Sequence, residues 1–140
     1  MKILVAADGS SYTKRMLAYL AAHDEWMGSH HDYTVITVVP ALPARAAAAL
    51  DKGVLKTYHD DYAAKIFKPI RTFFERQGLK ADFIARNGDV AECIATLADK
   101  GRYDLLLVGS HGHTSLGNLV LGSVATSVMA RCKVPMLIVR

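Results

Sequence analysis

Residues 105–132 read LLLVGSHGHTSLGNLVLGSVATSVMARC. The first four residues predict a fully apolar strand, a glycine-containing loop follows, and residues 123–132 predict a helix. Outward from this segment, the same order of strand, loop and helix recurs along the chain. Strands that alternate with helices predict crossover connections and a parallel sheet that is covered by helices.

The predicted elements are a strand and a helix four times over, followed by a closing strand. Strands are predicted at residues 2–7, 33–39, 81–86, 105–108 and 135–139, and helices at residues 11–27, 54–76, 90–100 and 123–132. Pro40 ends the second strand, and Asp89 is placed as a helix N-cap. Residues 40–53 predict a loop with one helical turn, and Pro69 predicts a bend or a split in its helix. The predicted fold is α/β, a doubly wound, Rossmann-like five-stranded parallel sheet with helices on both faces, in a single domain of residues 1–140.

Composition places the chain among soluble globular proteins. Hydrophobic residues make up 51% of the 140 residues and charged residues 21%. No apolar run approaches the roughly 20 residues of a membrane span, and the start lacks a signal-peptide pattern, so a cytoplasmic protein without membrane contact is expected. The net charge is +4, and the basic residues are scattered along the chain with no aromatic residues interleaved among them. No nucleic-acid partner is therefore expected. Cys93 and Cys132 are interpreted as two reduced core thiols.

Two loops are the candidates for a ligand site. Ligands of doubly wound sheets bind beyond the carboxyl ends of the strands, where the strand order reverses. The loop after the first strand is Asp8-Gly9-Ser10, and the loop after the fourth begins Gly109-Ser110-His111-Gly112. If the first and fourth strands are neighbours at the reversal, both loops face one crevice.

The second of these loops predicts an anion site. Gly109 and Gly112 leave out a Cβ where the chain turns tightly and approaches a ligand, whereas Gly117 is interpreted as an ordinary turn glycine. Gly122 and Ser123 stand at the start of the last helix, where unpaired N–H groups and the helix dipole attract anions. The Ser123 hydroxyl could bind the same anion or cap the helix. The spacing suits a polyphosphate.

This loop resembles the pattern G-x2-G-x9-G-[ST] of the universal stress protein family, with Gly109, Gly112, Gly122 and Ser123 in its fixed positions. The flanking segments DLLLVGSHG and LVLGSVATSVMARCKVPMLIVR and the opening ILVAADGS are similar to the same family. The resemblance covers essentially the whole chain. It implies the ATP-binding branch of the family, a role as a nucleotide-dependent stress-response or signalling module, and a homodimer through the last strand, Val134 to Val139.

The resemblance also implies roles for individual residues. Asp8 would contact the nucleoside and could meet Mg²⁺ carried by the phosphates, although capping or bonding within its own turn is an alternative role. The backbone of Val38 or Val39 would meet the adenine. The implied contact set is Ala7, Asp8, Gly9, Ser10, Val38, Val39, Gly109, Ser110, His111, Gly112, His113, Gly122, Ser123 and Val124. Many relatives have arginine where this chain has His113, so a permanent cation is replaced by an imidazole, which is positively charged only when it is protonated.

One hypothesis concerns the backbone of the loop. If Gly112 or Gly122 holds a left-handed or otherwise glycine-only conformation, a Cβ there would cost roughly 1–2 kcal/mol of strain. For the variant Gly122→Val, blocking of the ligand is expected to outweigh strain. The variant is expected to remain a folded dimer that is nearly intact without ligand, and to lose most of its ATP binding.

Three other functions stay open as alternatives. An ATPase or kinase is disfavoured because the chain contains no G-x4-G-K-[ST] or G-x-G-x-x-G segment, although slow hydrolysis remains compatible with the sequence. A zinc site needs three or four converging ligands, which the pairs His30-His31 and His111/His113 do not supply. A dimeric interaction module without nucleotide is disfavoured by the intact glycine pattern. An aromatic stripe is interpreted as core packing and consists of Tyr58, Tyr62 and Phe73.

Overall fold

The computed structural model describes residues 1–113 and 120–140. Over these residues the chain forms, in order, β1 (Lys2–Ala6), α1 (Ser11–Ala22), α2 (Asp24–Met27), β2 (Asp32–Pro40), α3 (Ala44–Ala48), α4 (Lys52–Arg76), β3 (Ala81–Gly88), α5 (Val90–Lys100), β4 (Leu105–Gly109), α6 (Ser123–Arg131) and β5 (Met136–Val139). The strands pair in the order β3-β2-β1-β4-β5, and each of these pairings is parallel. The predicted α/β fold with a five-stranded parallel sheet is therefore confirmed. No helix in this part of the chain has the length and apolarity that crossing a bilayer requires.

Each face of the sheet packs against its own pair of long helices. On one face, side chains of α1 and α4, including Phe74, pack with Val5 of β1. On the opposite face, Ile94 of α5 and Val128 of α6 pack with Leu4 of the same strand. Consecutive strand residues point to opposite faces, and both Leu4 and Val5 are buried. This double burial explains why the strands are continuous apolar runs.

The prediction of one helix over residues 11–27 is wrong, because the chain leaves the helix at His23. In a continued helix the N–H of His23 would donate to the carbonyl of Tyr19. The imidazole Nδ1 of His23 donates to that carbonyl instead, at 2.8 Å, and the backbone N–H of His23 turns to the carbonyl of Leu20. The short helix α2 then places Met27 in the core.

Helix α4 is longer and more regular than the sequence suggests. The predicted loop over residues 40–53 contains the five-residue helix α3, and α4 already begins at Lys52. Pro69 does not split α4, which runs through 25 residues. Ile66 and Ile70, which lie on either side of the proline, are both buried against the sheet. Their packing holds the helix together across the N–H that proline lacks.

The ends of three further elements bear on the predictions. Strand β2 ends at Pro40, as predicted, and its neighbour β3 continues to Gly88 because the two residues pair with each other. Asp89 caps α5, as predicted, with its Oδ1 accepting from the N–H of Glu92 at 2.8 Å. Strands β3 and β5 form the two edges of the sheet.

Tyr33 makes the stability of the fold depend on pH in alkaline solution. Its ring is buried and packs edge-to-face on Phe74, and its hydroxyl donates to the carbonyl of Met27. Burial, and to a smaller extent the charge of Asp24, raises the pKa of Tyr33 from 10.0 to about 12. Because the folded state favours the neutral phenol, its stabilising contribution is complete below pH 10.0 and is lost as the pH rises to about 12.

We expect this group to lower the free energy of unfolding by about 2–3 kcal/mol across that alkaline range, because the unfolded chain releases the proton first. Urea unfolding of the parent protein and of Tyr33→Phe, at a series of alkaline pH values, measures the effect. The phenylalanine variant keeps the ring and has no proton to release, so its stability should fall less steeply. Parallel pH profiles for the two proteins would contradict the assignment.

Candidate functional site

A cleft of about 200 Å³ opens at the carboxyl ends of β1 and β4. These strands are neighbours, with β2 and β3 on one side of them and β4 followed by β5 on the other. The strand order therefore reverses between β1 and β4, and the loops that follow both strands contribute to one cleft. This is the arrangement that the sequence predicted for a ligand site.

The structure brings most of the predicted contact residues together. Ten of them line the cleft, namely Ala7, Asp8, Val38, Gly109, His111, Gly112, His113, Gly122, Ser123 and Val124. Four others, Gly9, Ser10, Val39 and Ser110, lie outside its lining. Ser10 caps α1 by accepting from the N–H of Tyr12, and the Ser110 carbonyl accepts from the N–H of Gly122 at 2.7 Å. Gly117 lies outside the described residues.

Asp8 orders the turn between β1 and α1. Its Oδ1 accepts from the N–H of Ser10 at 2.9 Å and from the hydroxyl of Thr13 at 3.0 Å. The Thr13 hydroxyl oxygen in turn accepts from the N–H groups of Asp8 and Gly9, at 3.2 and 3.1 Å. Gly9 has a φ of +76°, a conformation that favours glycine. Oδ2 of Asp8 takes no part in these bonds and lies beside Gly112 of the second loop.

Close approach explains two glycines of the second loop. A Cβ added at Gly112 would lie 2.6 Å from Oδ2 of Asp8. A Cβ added at Gly109 would lie 2.6 Å from the Cβ of Tyr12. Neither distance leaves room for a side chain, so the glycines allow this loop to pack directly against the β1–α1 turn and the first turn of α1.

The left-handed backbone suggested for Gly112 or Gly122 is wrong. Gly122 has a φ of −70°, which other residues also adopt. The described glycines with positive φ are Gly9, Gly78 and Gly88. An added Cβ at position 122 would lie 3.0 Å from the carbonyl oxygen of Ser110, a tight contact with the backbone that glycine avoids.

The N-terminus of α6 opens into the cleft. Gly122 is the N-cap and has no side chain with which to cap the helix, and Ser123 is the first helical residue and not its cap. The N–H of Thr126 makes the first bond within the helix, to the carbonyl of Gly122 at 3.0 Å. The amides of residues 123–125 precede that bond and have no carbonyl inside the helix. Together with the helix dipole, they form the kind of site that binds anions.

Two imidazoles lie at this end of the cleft. Nε2 of His113 donates to the carbonyl oxygen of Asp8 at 2.7 Å, which joins the two loops. Nδ1 of His111 lies 3.1 Å from Oγ of Ser110. Of the described residues that line the cleft, Asp8 is the single carboxylate and none is lysine or arginine. The imidazoles are therefore the lining side chains that can carry positive charge.

The remainder of the cleft is apolar, and most of it was missed from the sequence. Ile36 and Val38 of β2, Ile94 of α5 and Val108 of β4 contribute aliphatic side chains. Val39 is buried elsewhere in the sheet, so Val38 is the member of that predicted pair that faces the cleft. The alternation of side chains along β2 could have separated the two valines.

Tyr62 packs against the core, as predicted, and it also lines the cleft, which the sequence did not predict. Burial, followed by the charges of Tyr58 and Asp8, raises the pKa of Tyr62. Tyr58 is 42% exposed, whereas Phe73 packs against the core, as predicted. Because α4 follows β2, its early turns lie at the carboxyl edge of the sheet, a signal that could have placed Tyr62 near the ligand loops.

The described residues contain no group of three or more histidine, cysteine, aspartate or glutamate side chains that could hold a metal ion. The rings of His30 and His31 meet edge to face before β2, with 3.9 Å between their centroids. Cys93 and Cys132 are free and partly buried, and burial raises the pKa of both thiols.

A doubly wound parallel sheet with a cleft at its reversal point defines a broad class of ligand-binding α/β proteins. Within that class, the model of the Universal stress protein family matches residues 1–140, and the chain belongs to this family. The resemblance drawn from the glycine loop is therefore confirmed.

Similar proteins agree with this membership. Universal stress protein Slr1230 of Synechocystis sp. is 29% identical over 139 residues, which are 99% of this chain and 42% of that protein. The chain thus spans less than half the length of that relative. The solved structure of MJ0577 from Methanocaldococcus jannaschii has a TM-score of 0.82 at 25% identity and covers 99% of this chain and 94% of its own. The Arabidopsis thaliana family protein At3g01520, solved with AMP bound, has a TM-score of 0.70 at 15% identity over 99% of this chain and 90% of its own, which shows a shared fold.

Proposed function

We propose that this protein binds adenine nucleotides in the cleft between β1 and β4, with ATP as the preferred ligand. The observation that carries the proposal is the junction of an apolar pocket with the open N-terminus of α6, at the point where the strand order reverses. An adenine ring suits the apolar part, and phosphates suit the helix terminus. The AMP bound to the Arabidopsis relative supports the choice of an adenine nucleotide.

The proposed pose runs along the cleft. The adenine would lie near Val38 among the aliphatic side chains, and the nucleoside would contact Asp8. The phosphates would face Gly112, Gly122 and Ser123, at the end of α6 where the amides of residues 123–125 have no carbonyl partner inside the helix. The other residues of the predicted contact set would act by shaping the loops, as the hydrogen bonds of Ser10 and Ser110 do.

Mg²⁺ would enter with the phosphates and not as a resident ion. Asp8 holds its turn with Oδ1 and presents Oδ2 beside Gly112. One available carboxylate oxygen suits an ion that keeps most of its waters and is otherwise bound by phosphate oxygens. When bound, the ion would supply positive charge to a cleft whose described lining contains no lysine or arginine.

Calorimetric titration with ATP, AMP and adenosine tests the proposal. We expect ATP to bind about tenfold more tightly than AMP, because the dipole and amides of a helix terminus act together on the added phosphates. Adenosine should bind most weakly of the three. Equal affinities for ATP and AMP, or no heat with either, would contradict the assignment of the phosphates to α6.

The biological role that best fits such a site is that of a cytoplasmic, single-domain, nucleotide-dependent module in stress response or signalling. Asp8, His111 and His113 are the carboxylate and imidazole side chains among the described lining residues, and Asp8 already holds its turn. Binding without rapid chemistry is therefore proposed, with slow ATP hydrolysis as the second candidate. Release of phosphate by the purified protein over hours distinguishes the two.

We also propose that the protein assembles as a two-fold homodimer through β5. β5 is an edge strand of the sheet, and its side chains pack on both faces, with Leu137 on one and Ile138 on the other. An edge strand with apolar residues on both faces favours pairing with another strand. A second copy related by a two-fold axis supplies that strand, antiparallel to the first.

A further inference from the structure

The described residues that line the proposed phosphate site include no lysine or arginine. Residues 110–122, which connect β4 to α6, contain no lysine or arginine. Asp8 adds a negative charge to the described lining of the same cleft. The phosphates of ATP carry several negative charges, so a cation from outside this loop would stabilise them strongly.

Arg15 of α1 lies against Tyr12, a residue of the cleft wall at this end. Its guanidinium carbon is 4.8 Å from the centroid of the Tyr12 ring, and Tyr12 lines the cleft. The Tyr12 ring is in turn 5.3 Å from the ring of His111. These contacts place the guanidinium within about 10 Å of the His111 ring, which is about one Debye length at 0.1 M salt.

Tyr12 holds a fixed position between these two groups. Its N–H donates to Oγ of the N-cap Ser10 at 3.3 Å, and its Cβ occupies the space that a side chain at position 109 would need. Arg15 follows one turn later on the same side of α1. Arg15 is exposed, and none of the ion pairs among the described residues involves it. Its charge is therefore available to a ligand.

We propose that Arg15 supplies the permanent cation for the outer phosphates of the bound nucleotide, with the Tyr12 ring holding the guanidinium beside the cleft. The inference rests on the proposed function and assigns the preference for ATP over shorter nucleotides in part to α1. A guanidinium suits this position because it stacks on an aromatic ring and presents several N–H donors to phosphate oxygens.

Titration of adenosine, AMP and ATP into the parent protein, Arg15→Gln and Lys14→Gln tests the inference. Lys14 is exposed on the same helix, so its variant removes the same charge one residue away. We expect Arg15→Gln to weaken ATP binding about fivefold to tenfold and to leave adenosine binding unchanged. Lys14→Gln should change ATP binding less than about twofold. Arg15→Lys should restore part of the ATP affinity, and the difference between parent and Arg15→Gln should shrink as salt is added.

Each of three results would overturn the inference. Equal effects of Arg15→Gln and Lys14→Gln on ATP would show general electrostatics and would exclude a specific role of Arg15. A loss of adenosine affinity equal to the loss of ATP affinity would show that Arg15 merely supports the Tyr12 side chain and does not contact the phosphates. If the parent protein binds ATP no more tightly than adenosine, the proposed phosphate site itself is wrong, and the role of Arg15 fails with it.

Discussion

The variant Gly122→Val is expected to bind ATP at least about 30-fold more weakly than the parent protein. Gly122 ends the loop that leads from β4 to the open N-terminus of α6, where the phosphates are proposed to lie. A hydrogen bond to a charged group contributes roughly 1.5–3 kcal/mol, so displacing even one helix-terminal amide from a phosphate would produce a loss of this size.

The contacts of Gly122 show how valine would act. Its added Cβ would lie 3.0 Å from the carbonyl oxygen of Ser110 and 3.2 Å from the Cα of His111. Both are backbone atoms, so in the valine variant the loop would have to shift and would strain the 2.7 Å bond from the N–H of Gly122 to the carbonyl of Ser110. Overpacking of this kind costs about 1–3 kcal/mol of stability. The sequence predicted that Gly122→Val without ligand would be nearly intact. From the structure we expect the variant to be less stable than the parent protein as well.

Gly78→Val is the matched control. Gly78 has a φ of +66° and would meet no atom within 4 Å of an added Cβ, so its variant is strained by backbone conformation alone. Gly78 follows α4 and lies outside the cleft lining. Calorimetry and urea unfolding of both variants should show lowered stability in each and lost ATP binding only in Gly122→Val. Parent-like ATP binding by Gly122→Val would show that this loop does not hold the phosphates.

The architecture could be predicted from the sequence because its determinants are local. Leu4 and Val5 are consecutive, apolar and buried on opposite faces, which is the pattern of a strand in a parallel sheet that is covered on both sides. Asp89 caps its helix through a bond to a residue three positions away. The position of the cleft then follows from the order of strands and helices, since the reversal between β1 and β4 is a property of the topology.

Most of what the sequence missed depends on contacts between distant residues. Tyr62 lies on α4, and its place beside Asp8 is decided by how α4 packs over β2. The need for glycine at position 112 comes from a carboxylate on another loop, more than a hundred residues earlier. The helix break at His23 is an exception, because the imidazole competes locally for a carbonyl of its own helix. Helix propensity and hydrophobic periodicity do not reveal hydrogen bonds of this kind between a side chain and the backbone.

The second large effect is expected at the edge strand β5, where Ile138→Pro should convert the proposed dimer to a monomer. The carbonyls of Pro135 and Val139 accept from the N–H groups of Leu106 and Ser110, at 2.9 and 2.8 Å. Backbone groups alternate sides along a strand, so the N–H and C=O of residues 136 and 138 point to the open edge. Proline at position 138 would remove an outward donor and would spare the bonds to β4.

Light scattering at micromolar concentration measures the result, with urea unfolding to show that the variant is folded. Ile138→Val is the matched control, since it keeps the N–H and most of the packing of Ile138 on its face of the sheet. We expect the mass of a dimer for the parent and for Ile138→Val, and the mass of a monomer for Ile138→Pro. ATP binding should persist in the proline variant, because Ile138 lies outside the lining of the cleft. A monomeric parent, or a dimer that Ile138→Pro leaves unchanged, would show that β5 is not the interface.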